Sequence, residues 1–122
     1  MNSYSYVYGV TDLRANVLPG ADGRAVELAD LFRLLGDPTR LRIVMACVDG
    51  PQAVGELAVR LRLSPSLASH HLRLLRAARI VRPERRGKHV LYAADDEHIR
   101  RVILDMLDHV GEIRGEDAAL EA

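Results

Sequence analysis

Closely spaced turn signals divide this chain into short segments, and they limit its fold more than any other feature of the sequence. Residues 36–38 (Gly-Asp-Pro) and 49–51 (Asp-Gly-Pro) each follow a stretch whose apolar residues recur at helical spacing. Ser64 is a favourable helix N-cap, and Pro65 fits the first helical position after it. The segments between these signals therefore predict four short helices between residues 24 and 77.

The third and fourth predicted helices form a pair joined by a tight turn. The third covers residues 54–61, and the fourth runs from Ser66 to about Ala77 with polar and basic side chains on one face. Two such helices predict a helix-turn-helix whose second helix enters the major groove of DNA. Four leucines of this recognition helix are expected to face the core: Leu67, Leu72, Leu74 and Leu75.

A predicted β-hairpin follows over residues 80–92. Its strands are short, Gly87 lies at its turn, and Pro83 fits an edge strand. The tip is basic, with Arg85, Arg86 and Lys88. A basic-tipped hairpin directly after a recognition helix predicts the wing of a winged helix-turn-helix.

Basic side chains are concentrated in the middle of the chain. Residues 60–89 hold nine Arg and Lys residues and one acidic residue, Glu84, so their formal charge is +8 in a chain whose total is zero. Such a segment is typical of proteins that bind a polyanion, and a solvated basic face accounts for it equally well. Charge alone therefore leaves nucleic-acid binding open.

Composition sets further limits. The chain has 122 residues, 48% hydrophobic and 28% charged, which predicts one folded domain. A single cysteine, Cys47, excludes an internal disulfide, fits a reducing cytoplasm and is expected to be a small core residue. Neither an apolar run of about 18 residues nor a signal-peptide pattern is present, so we expect a cytoplasmic protein without a membrane partner. The predicted layout is an N-terminal arm at residues 1–23, a folded domain at 24–114 and a frayed tail at 115–122.

The last predicted helix starts after a cap at Asp95 or Asp96 and carries an apolar stripe that suits a dimer seam. The stripe consists of Ile99, Val102, Ile103, Met106, Leu107 and Val110. The helix-turn-helix and its wing are already complete without this helix. We therefore expect it to serve dimerisation.

Two histidines of this helix, His98 and His109, face the same way, because eleven steps of about 100° end about 20° past three full turns. They are about 16 Å apart along the axis, so one helix cannot bring both to one metal ion. Two antiparallel copies can, since His98 then meets His109 of the other copy and Asp96 meets Glu112. The spacing predicts two equal sites per dimer, each with two imidazoles and two carboxylates, a set typical of zinc.

These motifs resemble those of the ArsR/SmtB family of bacterial metal-sensing repressors. The resemblance covers about residues 26–112 and rests on LFRLLGDPTRLRIV at 31–44, SPSLASHHLRLLRAARIV at 64–81 and ERRGKHVLY at 84–92. It implies a mainly α (α+β) fold, a winged helix-turn-helix of five helices and a β-hairpin wing, with dimerisation through the N- and C-terminal helices. It also implies a repressor that metal releases from a palindromic operator, and not an enzyme.

The same resemblance distinguishes between metal sites. Zinc sensors with a site on the C-terminal helix use Asp-x-His, ten residues, and then His-x-x-Glu or His-x-x-His. These positions correspond here to Asp96, His98, His109 and Glu112. The Cys-Val-Cys of arsenic and cadmium sensors is replaced by Ala-Val-Gly at residues 53–55, and the N-terminal arm holds no Cys or His for a further site.

Zn(II), two ions per dimer shared between the subunits, is therefore the expected effector, because four nitrogen and oxygen ligands suit tetrahedral coordination. Ni(II) or Co(II) stay open as alternatives, and these ions usually take further ligands, for which Asp105, the N-terminus or water are candidates. No organic cofactor is expected.

The expected partner is double-stranded operator DNA, contacted by the recognition helix, the helix before it and the wing. His71 is expected to pack against the core instead. Base-edge contacts are expected from Ser64, Ser66, Ser69 and His70, phosphate contacts from Thr39, Arg40 and Arg73, and minor-groove or phosphate contacts from Arg86 and Lys88.

The resemblance also implies how metal binding affects DNA binding. In the resembling sensors the metal-bound histidine donates its other ring N–H to a backbone carbonyl just after the recognition helix, which corresponds here to His109 and the carbonyl of Arg79. Three alternatives stay open: a ligand-independent repressor, a plain dimerisation module, and a zinc hydrolase. Four protein ligands would leave a hydrolase no open coordination position.

Overall fold

The structure, a computed structural model, describes residues 21–115, so almost all of the expected N-terminal arm and frayed tail lies outside the described residues. The elements, in order, are α1 (Ala21–Leu35), α2 (Pro38–Asp49), β1 (Gln52–Ala53), α3 (Val54–Leu61), α4 (Pro65–Ala77), β2 (Val81–Arg86), β3 (His89–Ala94) and α5 (Glu97–Arg114). The expected mainly α winged helix-turn-helix, with five helices and a hairpin wing within the described range, is confirmed.

The chain divides into two compact units, residues 1–36 and residues 37–122. In the first unit, α1 begins at Ala21, three residues before the predicted boundary, and exposes Val26, Leu28 and Phe32. The second unit holds the helix-turn-helix, the wing and the last helix. No helix between residues 21 and 115 is long and apolar enough to cross a membrane.

Side-chain caps set the starts of α2 and α4. The Asp37 carboxylate accepts a hydrogen bond from the backbone N–H of Thr39 at 3.0 Å, and Pro38 opens α2. Ser64 Oγ accepts from the backbone N–H of Leu67 at 3.1 Å, and Pro65 opens α4. The cap predicted at Ser64 is thus confirmed, and it fixes where the recognition helix begins.

The wing is part of a three-stranded antiparallel sheet with strand order β1-β3-β2. β2 and β3 pair from Val81 opposite Ala94 to Arg86 opposite His89, and Gly87 has a φ of +62° in the turn between them. Gly87 suits this position because a β-carbon at positive φ is strained. Pro83 lies on the edge strand as predicted. Strand β1 was not predicted, because two residues show no alternation.

The core of the second unit joins α2, α3, α4 and the base of the sheet. Cys47 is 2% exposed, and burial raises the pKa of its thiol to about 12, which confirms it as a core residue and keeps it unreactive. The largest fully buried side chains are Ile43, Val44, Cys47, Leu57, Leu72, Leu75, Ile80 and Val81.

The buried face of α4 differs from the predicted one. Leu72 and Leu75 are buried as expected, but Leu67 and Leu74 are 41% and 37% exposed. The buried positions are Ala68, His71, Leu72 and Leu75, which follow one stripe at intervals of three and four residues. Leu67 and Leu74 lie on the flank of that stripe, so the prediction of an inward orientation was wrong for these two leucines.

Candidate functional site

The first turn of α4 presents the hydroxyls that were predicted to read DNA. Ser64 and Ser66 are exposed, and their Oγ atoms are 3.3 Å apart. Ser69 is half-buried, while His70 is exposed in the next turn. Their hydroxyl and imidazole groups can exchange hydrogen bonds with the base edges and phosphates of a nucleic acid.

Two of the three expected phosphate ligands lie at the start of α2. Arg40 Nη2 is 3.0 Å from Asp37 Oδ2, its side chain is only 19% exposed, and Thr39 is half-buried. The hydrogen bond from Arg40, followed by that from the Thr39 N–H, holds the pKa of Asp37 below its ordinary value. Arg40 would therefore have to share its charge between Asp37 and a phosphate, whereas Arg73 on α4 is exposed.

The recognition helix also carries a buried histidine. His71 is 7% exposed, as predicted, and its Nδ1 has no hydrogen-bond partner among the described residues. Burial is the main cause that lowers the pKa of His71, and the neighbouring Asp37 opposes it. The ring lies 5.7 Å from that of exposed His70, between centroids. His71 therefore belongs to the support of the helix and not to its DNA face.

Glu84 divides the charge of the wing into two groups. Its carboxylate is 3.2 Å from Arg82 Nη2 and 3.4 Å from Arg86 Nη2. Arg85 and Lys88 are exposed and form no ion pair with any residue between 21 and 115. Of the two predicted wing contacts, Lys88 is thus free to approach a phosphate, and Arg86 is partly neutralised.

Arg82 makes a contact that the sequence reasoning missed. Its Nη1 donates a hydrogen bond to the backbone carbonyl of Asp95 at 2.6 Å, while its Nη2 holds Glu84. The sequence did carry a signal for the second contact, since residues two apart on a strand share one face. It carried none for the first, because that bond depends on where α5 starts.

The first pair of candidate metal ligands lies at the start of α5. Asp96 is the N-cap, as predicted: its backbone is extended and its Oδ1 accepts from the N–H of Ile99 at 3.0 Å. Its Oδ2 lies 3.5 Å from His98 Nδ1. The bond from Ile99, and then the effect of His98, lowers the pKa of Asp96, so the carboxylate stays charged and able to bind a cation.

The second pair lies near the other end of α5. His109 Nδ1 is 3.7 Å from Glu112 Oε2, and both side chains are more than half exposed. The helix continues through Gly111 to Arg114 and ends at Gly115, which has a φ of +75°. Within residues 21–115 of one chain, no group of three or more His, Cys, Asp or Glu side chains could hold a metal ion. One chain therefore places the four candidate ligands in two separate pairs.

The carbonyl expected to receive a hydrogen bond from His109 belongs to a turn. Arg79 follows the C-cap of α4, has a left-handed backbone with a φ of +59°, and donates its N–H to the carbonyl of Arg76 at 2.9 Å. Arg79 thus lies in the turn that joins the end of α4 to β2.

Comparison with known proteins shows what this chain is similar to. The family pattern described as "Bacterial regulatory protein, arsR family" matches residues 37–82. The chain is 36% identical over 89 residues to a transcriptional repressor SmtB homolog from Synechocystis sp., which covers 73% of this chain and 67% of that protein. It is 39% identical over 83 residues to the HTH-type transcriptional repressor SmtB from Mycobacterium tuberculosis, covering 68% of this chain and 62% of that protein.

A solved structure is similar as well. The NMR structure of the cadmium metal-sensor CMTR from Mycobacterium tuberculosis has a TM-score of 0.59 and 40% identity to this chain, and the match covers 67% of this chain and 85% of that one. The chain thus spans about two thirds of the length of the first curated relatives and most of this solved neighbour.

Proposed function

Because the chain belongs to the ArsR family of bacterial regulatory proteins, we propose that it is a metal-responsive DNA-binding repressor of the cytoplasm. As a dimer without metal it binds a palindromic operator in double-stranded DNA. Metal binding at α5 releases it. The observation that carries this proposal is the division of the four candidate ligands into two exposed half-sites at opposite ends of α5.

The surface of α5 supports dimerisation. Only Ile103 is buried in a helix of 18 residues, while Val102, Met106, Val110 and Ile113 are all exposed by 46% or more. Exposed apolar side chains at intervals of three, four and seven residues form a continuous stripe. A second copy packed antiparallel covers this stripe and brings Asp96 and His98 of one protomer to His109 and Glu112 of the other.

The ligand atoms fit a zinc-type ion. Each half-site joins one imidazole and one carboxylate, with 3.5 Å between Asp96 and His98 and 3.7 Å between His109 and Glu112. All four side chains are half-exposed or more, so a partner can reach them. Zn(II) would be held by these four side chains and would link the two protomers. The carboxylates bind charged, and the imidazoles bind in their neutral form.

Residues of the chain itself transmit the effect of metal binding to the DNA-binding elements. With metal held at His109, its other ring nitrogen would donate to the carbonyl of Arg79, a residue between α4 and β2. That bond would fix the spacing of the two recognition helices. The base-reading residues on each helix would be Ser64, Ser66, Ser69 and His70. Arg73, Lys88 and Thr39 bind phosphates. Arg40 and Arg86 also bind phosphates when their ion pairs with Asp37 and Glu84 weaken.

The test compares DNA affinity with and without metal. A DNA fragment selected from a random pool by the metal-free protein serves as probe, and Zn(II), Ni(II) and Co(II) are titrated separately. We expect Zn(II) to weaken binding by about 100-fold, as a coupling free energy of about 3 kcal/mol requires. His109→Ala should abolish this response.

Asp108→Ala is the matched control, because Asp108 is the exposed neighbour of His109 and outside the ligand set. It should keep the full response. Complete zinc-induced release by His109→Ala would contradict the proposal, and a larger response to Ni(II) or Co(II) would reassign the metal.

A further inference from the structure

The base of the wing and the start of α5 are joined by two hydrogen bonds that meet at one residue, Asp95. The Asp95 N–H donates to the carbonyl of Ile80 at 2.9 Å, just before β2. The Asp95 carbonyl accepts from Arg82 Nη1 at 2.6 Å. Both backbone groups of Asp95 are therefore held by β2 and the residue directly before it.

The same arginine continues the connection toward the wing tip. Arg82 Nη2 is 3.2 Å from one carboxylate oxygen of Glu84, and Arg86 Nη2 is 3.4 Å from the other. Arg86 pairs with His89 at the last rung before the turn. The contacts thus form a continuous series from Asp95 through Arg82 and Glu84 to the residue next to the turn.

On its other side, Asp95 is bonded directly to Asp96, the N-cap of α5 and a candidate metal ligand. The Asp96 carboxylate is already engaged, with Oδ1 on the Ile99 N–H and Oδ2 near His98. A change in how this carboxylate is held acts on the Asp95–Asp96 peptide. Since that peptide carries the carbonyl that Arg82 holds, the change reaches Arg82 without any intervening side chain.

We propose that Arg82 is a positioning residue that couples the Asp96–His98 half-site to the wing, so that metal and DNA influence each other through it. This inference rests on the proposed function. It gives each metal site two separate connections to DNA: His109 acts on the end of the recognition helix, and Arg82 acts on the wing. Arg82 itself touches neither metal nor DNA in this role.

The guanidinium is suited to this role because its geometry is fixed. It presents donors in a rigid planar fork, so Nη1 and Nη2 cannot move independently and a shift of the Asp95 carbonyl is passed to Glu84. Lysine keeps the charge but offers one rotatable ammonium group. Arg82→Lys therefore separates the coupling from the simple presence of a positive charge.

The experiment measures the ratio of the DNA dissociation constants with and without Zn(II) for the wild type, Arg82→Gln and Arg82→Lys, together with the Zn(II) affinity of each protein free of DNA. We expect both variants to lower the ratio about fivefold, the smallest coupling usually measured between two sites, while the Zn(II) affinity stays within about twofold. Arg85→Gln is the matched control: it should weaken DNA binding equally in both states and leave the ratio unchanged, because Arg85 has no ion pair among residues 21–115.

A second measurement needs no metal. Amide hydrogen exchange of the metal-free protein should be faster in Arg82→Gln than in Arg85→Gln at the N–H groups of β3 and Asp95, whose carbonyl has lost its partner. An unchanged ratio in Arg82→Gln overturns the proposal. If the wild type itself shows no response to Zn(II), the proposed function fails instead, and the exchange measurement alone decides whether Arg82 holds the wing to α5: unchanged exchange overturns that role.

Discussion

Helices α4 and α5 are both amphipathic, but they differ in how much of the apolar face is buried. α4 buries Ala68, His71, Leu72 and Leu75 within its own chain. α5 is five residues longer and buries Ile103 alone, leaving Met106 54% exposed and Ile113 72% exposed. The first helix buries its apolar face within its own unit, whereas the second leaves most of its apolar stripe exposed among the described residues.

This difference matches the two tasks that we propose for the protein, DNA recognition by α4 and metal sensing by α5. A recognition helix must keep one orientation relative to the wing, which favours a fixed core behind it. A sensing helix must change its contacts, which favours an interface whose strength depends on a ligand. Substitutions in α4 should therefore act on the folding of one protomer, and substitutions in α5 on its association.

The largest effect is expected in the core behind α4. Leu75 is fully buried, and Leu75→Ala removes its contacts and leaves a cavity, so it should lower the free energy of unfolding by about 3 kcal/mol. Urea unfolding followed by circular dichroism measures this. A loss below about 1 kcal/mol would show that α4 is not anchored by its own protomer.

The next effect concerns the exposed stripe of α5. Met106→Asp puts a charge in the expected seam of both protomers and removes the burial of two half-exposed apolar side chains, about 1 kcal/mol each, so the dimer dissociation constant should rise about 30-fold. Sedimentation equilibrium measures it. Asp108→Asn is the matched exposed control on α5, and an unchanged dimer of Met106→Asp would place the interface elsewhere.

The caps of the two helices give a smaller and more discriminating contrast. Ser64→Ala and Asp96→Ala should each lower the free energy of unfolding by about 1 kcal/mol, because each removes one acceptor for the first turn. Asp96→Asn keeps the cap, since Asn caps equally well, but loses the charge that favours a metal ion. Calorimetric Zn(II) titration should find weakened binding in both Asp96 variants and wild-type binding in Ser64→Ala. Full Zn(II) affinity in Asp96→Asn would remove this residue from the ligand set.

The last contrast is the pH dependence contributed by α4. Burial lowers the pKa of His71 below the ordinary 6.5, so the unfolded chain takes up a proton first as the pH falls. The contribution to stability is complete above pH 6.5 and is lost below it, at up to about 1.4 kcal/mol per pH unit for one proton. Urea unfolding between pH 5 and pH 8 measures the slope. His71→Leu should flatten it, and the exposed control His70→Leu should not; equal slopes in both variants would refute the assignment.

The order of elements was predictable because local chemistry determines it. Ser64 and Asp96 predict helix caps, and Gly87 predicts a turn. That His98 and His109 share one face of a helix follows from the helical repeat alone. The burial of single leucines was not predictable in the same way. Leu67 and Leu74 lie beside the buried stripe, which includes Ala68 and His71. From the sequence, an alanine and a histidine indicate a buried face less strongly than four leucines do.

The contact of Arg82 with α5 could not be predicted from the sequence for a different reason. Arg82 belongs to the basic segment at residues 60–89, which favours contact with DNA, and its partner, the Asp95 carbonyl, is set by the three-dimensional path of the chain. Arg40 differs, because Asp37 lies three residues before it and this ion pair follows from helical spacing. Charge counted along a sequence therefore overstates the charge that is available to a polyanion.

The register of the wing has a mechanical consequence. Its base, at Val81 and Ala94, is anchored beside the core, and its tip lies five residue steps away, about 17 Å at 3.3 Å per residue. A lever of that length turns a rotation of about 5° at the base into a displacement of about 1.5 Å at Lys88, about half the length of a hydrogen bond. The wing can therefore lose a phosphate while the packing at its base hardly changes, and the transition between bound and released states would be far larger at the tip than in the core.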